Sequence, residues 1–519
     1  MNAFTYTALI LDKAPALLSA QTLLVAFVLV LTLWLYHLSS TKSRKRIPGP
    51  FRLPIVGSIS VLPAFLSNIK RHKIRVALAK QYGDICVVYL GKMPMVLLND
   101  MRLIKEAFVT KGDIISDRMP PSRNDMFAKR IGEGVGLGGI SYGKDFRDRK
   151  ALAQSAMREF GLAGKSLDYM IAEETRFLVQ RMRKFADTHL PTKIHETVVY
   201  LAVSNVICSV VFGQRFSYDD EEFVATIQAI HHLFSKTSAV LMRLPFATHI
   251  PYVKRQLMEE YTLGGLIAEF LEKQMVTHRE NFNDANPQDF VDLWLQTTKQ
   301  DNDQISTITA NDIKRIILDL FVAGTDTTAS TLNWFLLYMI HYPEVQRRCQ
   351  LEIDSAMALG AEVSQATAFE MFPFTSAALL EAQRMSSSAG ASLPHIVRED
   401  TTVGGYPITK GSLVVANIQF LHRDERYWDE PDVYKPERWL DRDDNSKVVQ
   451  HSAFVPFSIG RRRCPGESLA KTEYLLFGIH LLHNFVFKPV DPTNLPPFEG
   501  VGLIYQPFSF EMLMETRKY

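Results

Sequence analysis

The sequence predicts a mainly α-helical protein with small β-sheets, built as a single large domain behind an N-terminal transmembrane helix. Most segments after about residue 145 carry apolar residues at three- and four-residue spacing, which is typical of helices. One helical stretch, residues 309–341, is apolar on nearly every face between 316 and 338 and is long enough to cross a whole domain. No Gly/Ser-rich linker divides the 519-residue chain after residue 60, so one large domain is expected.

The N-terminal segment is predicted to anchor the protein in a membrane. Residues 16–38 contain no charge and, at about 1.5 Å per residue in a helix, are long enough to cross a bilayer. The alternative is a buried core helix. Lysines and arginines follow within residues 42–46, and this positive flank places the remaining chain in the cytosol. We expect a short lumenal segment (1–15), a signal-anchor helix (16–38), a basic and proline-rich hinge (39–57) and the main domain (58–519).

Composition excludes several other classes of protein. Lys and Arg total 58 against 56 Asp and Glu, and this near balance argues against nucleic acid as a partner. The four cysteines are widely separated, with no paired spacing that would indicate a zinc site or a disulfide framework. We therefore expect a main domain that resides in a reducing compartment.

The shorter elements follow from local patterns. Residues 86–90 and 95–98 read as two strands joined by a turn at Gly91 and Lys92. Further helices are predicted at residues 167–185, 194–212 and 263–281, and further short strands at 402–408 and 412–417.

The longest predicted helix covers residues 309–341. Thr309 and Asp312 form a capping-box pattern at its start, and Pro343 ends it. Because it is apolar on nearly every face, it should lie in the centre of the domain.

The middle of this helix, residues 323–328, reads AGTDTT, an unfavourable composition if only helix stability mattered. Gly324 would leave room for a flat ligand or a diatomic molecule, and threonine hydroxyls can bond back to the helix carbonyls and bend it. Asp326 is an ionisable group that needs a partner or water in an apolar helix. The alternative is a helix–helix contact through small residues, with Asp326 in a structural ion pair.

A second pattern is predicted to be structural. Glu381 and Arg384 share one helix face after an apolar stretch, so their ion pair is expected to be buried. A buried pair needs further hydrogen bonds, and Arg438 in the segment PERW is the candidate to supply one.

The most informative segment is FSIGRRRCPGE, residues 457–467. Its single cysteine, Cys464, is surrounded by three arginines that favour a thiolate. Gly460 and Gly466 permit a tight turn and close approach of the backbone to a flat ligand. Phe457 can shield the sulfur from water. The pattern is suited to holding one thiolate under a haem iron.

In combination, these segments resemble the cytochrome P-450 superfamily of haem-thiolate monooxygenases. The order Phe-x-x-Gly-x-Arg-x-Cys-x-Gly is similar to its haem-ligand signature, and AGTDTT is similar to its oxygen-activation motif. The other matches (proline hinge, Glu-x-x-Arg, Pro-Glu-Arg) follow in the family's chain order, over about residues 48–519.

The resemblance implies the cytochrome P-450 fold and a haem b cofactor (iron protoporphyrin IX). It implies a monooxygenase of the endoplasmic reticulum membrane, with its catalytic domain on the cytosolic side. The implied partners are NADPH–cytochrome P-450 reductase, O2, a lipophilic small-molecule substrate such as a steroid, terpenoid or fatty acid, and membrane lipid. Arg461 and Arg463 are candidates for docking the acidic reductase, or else form a solvated turn.

The resemblance also assigns roles to residues. It implies Cys464 as the iron ligand, Asp326 and Thr327 as the catalytic pair, and as further cofactor-binding residues Arg462, Phe457, Gly460 and His395. Arg462 and His395 are expected to face the haem carboxylates, although His395 is alternatively a core histidine. One segment departs from the family pattern: Phe146 stands where many members have a tryptophan, which leaves contacts from Arg147 or Lys150 open.

Two other functions of the same sequence remain as alternatives. One is an isomerase or dehydratase of this fold that rearranges peroxides without O2 or a reductase; the presence of both Asp326 and Thr327 weakens it. The other is a non-enzymatic membrane haem protein, a carrier or gas sensor, which would need no acid–threonine groove.

Overall fold

A computed structural model describes residues 46–53, 57–58, 60–61, 70–119, 135–162, 167–236, 251–300, 308–360 and 363–518, with the four helical positions 25, 28, 29 and 32. The predicted anchor, residues 16–38, and the segment 1–15 thus lie almost wholly outside the described residues. Among the helices that are described, none is both long and apolar enough to cross a bilayer. Contacts group residues 1–47 and 405–407 into one unit and the rest of the chain into a second, main unit.

The main unit begins with a small sheet. Helix α1 (Lys70–Tyr82) precedes the antiparallel strands β1 (Ile85–Leu90) and β2 (Met93–Leu98), which confirms the two strands predicted there. β6 (Leu413–Ala416) pairs with β2 in parallel, and β3 (His395–Ile396) closes the sheet beside β6. The sheet buries an apolar cluster that includes Cys86, Val88, Leu97 and Val415.

Helices dominate the remaining chain, as predicted. In chain order they are α2 (Met101–Lys105), continued by a π-turn at Glu106–Thr110, α3 (Lys144–Leu162), α4 (Leu167–Ala186), α5 (Val198–Phe212), α6 (Glu221–Lys236), α7 (Pro251–Asn281), α8 (Phe290–Gln300), α9 (Ala310–His341), α10 (Pro343–Ala358), α11 (Gln365–Met371), α12 (Pro373–Ser386), α13 (Ile418–Leu421) and α14 (Glu467–Asn484).

Two predicted helices have different boundaries in the structure. The helix predicted at 194–212 is interrupted, because Thr197 leaves helical geometry and separates a 3₁₀ turn (Ile194–Glu196) from α5. The helix predicted at 263–281 begins earlier, at Pro251, whose fixed φ suits the first helical turn. The remaining short strands are β4 (Thr401–Val403), β5 (Tyr406–Ile408), β7 (Phe485–Pro489), β8 (Gly500–Val501), β9 (Gln506–Pro507) and β10 (Met512–Thr516).

Helix α9 is the central helix, which confirms its prediction. The Thr309 hydroxyl accepts from the Asp312 amide while the Asp312 carboxylate accepts from the Thr309 amide, so the capping box is complete. Pro343 stands at the first position of α10 and ends the run. α9 packs against α5, α12 and α14, and its C-terminal half is buried on every face, including Trp334 and Phe335. Such packing fixes the helix that carries AGTDTT against the helix that follows the cysteine loop.

Candidate active site

The cysteine loop is a tight turn that presents Cys464 immediately before α14. Ser458 and Gly460 both have positive φ (59° and 79°), and a 3₁₀ turn covers Gly460–Arg462. The Cys464 amide donates to the Phe457 carbonyl at 3.1 Å, which closes the turn. Phe457, expected to shield the sulfur, is half-buried and serves the loop through this carbonyl.

The Cys464 side chain is accessible but lies close to other protein atoms. The residue is exposed, unlike Cys86, Cys208 and Cys349, and yet surrounding protein atoms desolvate the thiol and raise its pKa. The Gly466 amide and the positive charges of Lys150 and Arg463 act in the opposite direction. These groups favour the thiolate, the form of sulfur that ligates a metal.

Residues 106–118 pack against the cysteine loop and support it. A Cβ at Gly460 would lie 2.0 Å from the Phe108 carbonyl oxygen, so only glycine permits this approach. Arg461 pairs with Asp113 at 2.6 Å. The Phe108 ring stacks on His395 at 4.0 Å between ring centroids, which joins β3 to the same support.

Three basic side chains lie close together beside residues 106–118. Arg462 is buried and donates to the carbonyl of Ser116 at 2.8 Å, while Arg118 donates to the carbonyl of Pro394 at 2.9 Å. His395 Nδ1 lies 2.8 Å from the Ile115 carbonyl. We call Arg118, His395 and Arg462 the basic cluster.

The basic cluster carries excess positive charge. Burial and the charge of Arg462 lower the pKa of Arg118 to about 9, and burial lowers that of Arg462 to about 10. Burial and the two arginines lower the pKa of His395 to about 3, which leaves this imidazole neutral. An anionic ligand would compensate these charges. Arg118 was missed by sequence reasoning, because an isolated arginine before Met119 belongs to no short motif.

Helix α3 lies beside the basic cluster. The Arg462 guanidinium sits over the Phe146 ring at 3.8 Å from its centroid, a cation–π contact that needs no N–H group. Arg147 is exposed, whereas Lys150 Nζ lies 3.4 Å and 3.3 Å from the carbonyls of Arg461 and Arg463. In this structure Lys150 therefore contacts the cysteine loop rather than the basic cluster.

The middle of α9 presents a groove. Ala323 is exposed, and Gly324 and Thr327 are half-buried, within a helix whose neighbouring positions are buried. Thr327 Oγ1 donates to the Ala323 carbonyl at 2.7 Å, the backward bond expected for threonine in a helix. A hydroxyl and a carbonyl thus line an open stretch of an otherwise buried helix.

The expectation that Gly324 makes room for a ligand is wrong. A Cβ at Gly324 would lie 2.5 Å from Cδ1 of Ile207 on α5, so the missing side chain permits close packing of two helices. Here the structural alternative considered for the motif is correct.

Asp326 points away from the groove and is only 1% exposed. Its Oδ1 lies 3.4 Å from Nδ1 of His231 on α6. Burial raises the pKa of Asp326, and the contact with His231 opposes that rise. The structure thus places the two predicted catalytic residues on adjacent positions of α9 but on different faces.

The predicted ion pair of α12 is confirmed and fully buried. Arg384 donates to both Glu381 oxygens at 2.8 Å, Arg438 Nε donates to Oε1 at 2.8 Å, and Trp439 Nε1 donates to Oε2 at 2.9 Å. Arg384 also donates to the His422 carbonyl at 2.6 Å. This network ties α12 to the 3₁₀ turn Pro436–Trp439.

These side chains fit a flat, anionic metal cofactor. The accessible thiol would supply a soft ligand to the metal, the basic cluster would suit carboxylates, and α9 exposes a hydroxyl in its open stretch. Such an arrangement can hold a haem through sulfur while small molecules reach the groove.

Comparison with known proteins agrees with this chemistry. The family model described as Cytochrome P450 matches residues 47–513. Among similar proteins, Cytochrome P450 2J5 of Mus musculus is 34% identical over 500 residues, which cover 95% of this chain and 96% of that protein. Cytochrome P450 2J2 of Homo sapiens is 33% identical, with 90% of each chain covered. Cytochrome P450 2U1 of Bos taurus is 32% identical, with 96% of this chain and 94% of that protein covered.

The family implies a haem-thiolate cofactor, and O2 and a small molecule as substrates. The fold, the cysteine loop and the extent of these matches lead to one conclusion: the chain belongs to the cytochrome P450 family and is a cytochrome P450 monooxygenase.

Proposed function

We propose that the protein is a membrane-anchored haem-thiolate monooxygenase that inserts one atom of O2 into a lipophilic substrate such as a steroid, terpenoid or fatty acid. NADPH supplies the electrons through NADPH–cytochrome P-450 reductase. The observation that carries the proposal is the accessible Cys464 thiol beside the Gly466 amide and the charges of Lys150 and Arg463.

The cofactor in this proposal is haem b, which supplies the redox chemistry of O2 activation when bound. Cys464 would be its iron ligand, and Arg118, His395 and Arg462 would hold its carboxylates. Gly460 allows the loop to pack directly against the Phe108 carbonyl, and the Phe457 carbonyl closes the loop by accepting a hydrogen bond from the Cys464 amide.

In this proposal, residues of α9 supply protons to the reaction. Thr327 holds its hydroxyl proton on the Ala323 carbonyl, at the open part of the helix. Asp326 can retain a proton at neutral pH more readily than an exposed aspartate, because burial raises its pKa. The two residues supply protons from different faces of α9, Thr327 at its open stretch and Asp326 from its buried side.

The proposed topology follows from the N-terminal sequence. Residues 16–38 form a single anchor helix in the endoplasmic reticulum membrane, with residues 1–15 in the lumen. Residues 39–57 form a hinge, and residues 58–519 form the catalytic domain on the cytosolic side. Arg461 and Arg463 contribute to reductase docking, although each already pairs with an acid of its own chain, Asp113 and Glu467.

The test uses purified full-length protein and two measurements. The reduced, CO-treated protein should show the red-shifted Soret band of thiolate ligation, and lipophilic compounds should stimulate NADPH consumption with oxygenated product when the reductase is added. Cys464→Ala should lose the band, while Cys86→Ala, at a cysteine buried in the first sheet, should keep it. A normal band in Cys464→Ala would refute the ligand assignment, and product formed from a hydroperoxide without NADPH would favour an isomerase or dehydratase.

A further inference from the structure

The buried carboxylate of Asp326 faces His231, its ion-pair partner among the described residues. No described group makes a well-aligned hydrogen bond to either oxygen, and His231 Nδ1, at 3.4 Å, is the partner in reach. The Asp326 side chain is 1% exposed, whereas the His231 side chain is 33% exposed. The histidine therefore spans the distance between a buried acid and solvent.

The surroundings hold the imidazole in this position. Tyr200 of α5 meets His231 edge to face, at 4.5 Å between ring centroids and 70° between planes. The Tyr200 hydroxyl is committed elsewhere, since it donates to Gln506 Oε1 of β9 at 2.7 Å. Burial raises the pKa of Tyr200, and the negative charge of Asp326 raises it further. Tyr200 thus packs against His231 without supplying a proton to the carboxylate.

A buried carboxylate with unfilled acceptors is costly unless it is protonated or faces a cation. α6 supplies a group that can meet either need, because an imidazole can act as a cation or as a proton donor. From α5 the facing titratable group is Tyr200, with Glu196 acting on it from the preceding turn. Among described residues, His231 is therefore the group placed to compensate Asp326.

We propose that His231 is a positioning residue that holds the Asp326 carboxylate and links it to solvent for proton uptake, an inference that rests on the proposed function of Asp326. A proton taken from water by the imidazole moves from Nδ1 to Oδ1. The imidazolium becomes neutral, the carboxylate becomes a carboxylic acid, and a second proton from water restores the imidazolium. Proton supply thereby involves α6, a helix separate from both the cysteine loop and α9.

The test measures Asp326 in resting protein, without turnover. Infrared difference spectra recorded across a pH series should contain the carbonyl band of a protonated carboxylic acid that Asp326→Asn lacks. His231→Gln removes the contact that opposes the raised pKa of Asp326, so the midpoint of this band should rise by about one pH unit or more. His231→Lys places a cation there and should return the midpoint toward that of the wild type.

The adjacent His232 provides a matched control. It has the same 33% side-chain exposure on the same helix, but pairs with Glu259 of α7. His232→Gln should leave the midpoint unchanged. His231→Asn repeats the measurement if His231→Gln loses haem.

An equal midpoint in wild type and in His231→Gln, or in His231→Asn where it replaces His231→Gln, overturns the proposal, and so does the lack of any band assignable to Asp326. Because the band needs no substrate, reductase or NADPH, failure of oxygenation with a shifted band would refute the proposed function and leave the His231–Asp326 link in place.

Discussion

Gly460 shows how one missing Cβ determines the shape of the cysteine loop. Its φ of 79° lies in the left-handed region, and the Phe108 carbonyl occupies the space where a side chain would begin. Both constraints act on the turn that ends at Cys464. Gly466, two residues past the cysteine, has neither constraint, since a Cβ there would meet nothing within 4 Å.

These two glycines allow a matched comparison. We expect Gly460→Ala to lower haem content and to cost more than about 1 kcal/mol in unfolding free energy, because the backbone must move away from Phe108. Gly466→Ala should leave haem content and unfolding free energy unchanged, because its amide is still directed at the thiol. Pigment content and urea unfolding of both variants measure the difference, and equal behaviour would contradict the close contact.

Thr327 is the second residue with a separable effect. Thr327→Ala should bind haem normally, because within the described part of the chain the side chain bonds to the Ala323 carbonyl of its own helix. Without the hydroxyl, proton supply should fail and electrons should go to peroxide, with several-fold less product per NADPH. Thr327→Ser should retain most of the coupling. Peroxide and product quantified together check this, and unchanged coupling in Thr327→Ala would exclude the proposed proton supply by Thr327.

At the scale of elements, α12 is held by charge as well as by packing. Burial alone would raise the pKa of Glu381, but the hydrogen bonds and charge of Arg384 hold it below its usual value. Arg438 and Trp439 complete the set of donors, so no carboxylate oxygen is left uncompensated. The pair is structural and lies outside the groove and the cysteine loop.

Substitution of a buried and of an exposed glutamate in this region should cost very different amounts of unfolding free energy. Glu381→Gln leaves two buried guanidinium groups without a counter-charge and should cost about 3–5 kcal/mol. Glu437→Gln breaks only the surface pair with Arg348, where both side chains are about half exposed, and should change stability by less than about 1 kcal/mol. Denaturant unfolding of the two variants makes the comparison. Similar losses of unfolding free energy would show that the Glu381 network contributes no more to stability than a surface ion pair.

At the scale of the whole molecule, one histidine links three helices and makes global stability depend on pH. His278 of α7 contacts Asp289, just before α8, at 2.8 Å and the Gln274 carbonyl at 2.8 Å, so both ring nitrogens face acceptors. Gly213, which ends α5, packs against the same Asp289 carboxylate. Burial would lower the pKa of His278, but the hydrogen bond and charge of Asp289 raise it to about 9.

The sign of the pH effect follows from this raised pKa. The unfolded chain releases the proton near pH 6.5, so the stabilisation is complete below that pH and is lost as the pH rises through about 9. We expect the unfolding free energy to fall by up to about 3 kcal/mol across this window. His278→Gln should remove most of the slope in urea unfolding series, and an unchanged slope would assign the effect to other groups.

Prediction from sequence succeeded where the information is local. The capping box of α9, the strands β1 and β2 and the Glu381–Arg384 pair all involve residues close in sequence or in one helix face. It failed at Gly324, because the neighbour that explains this glycine, Ile207, is more than a hundred positions away.

The sequence by itself determined that helices dominate the chain, where α9 starts and ends, and which cysteine stands in a turn beside basic residues. Periodicity, capping and backbone sterics act over a few residues, so they can be read along the chain. Only the tertiary structure decided that Arg118 joins Arg462 and His395, and that His231 meets Asp326. Those contacts depend on how α6, α9 and the loops pack. Packing brings together charged side chains that are far apart in the sequence.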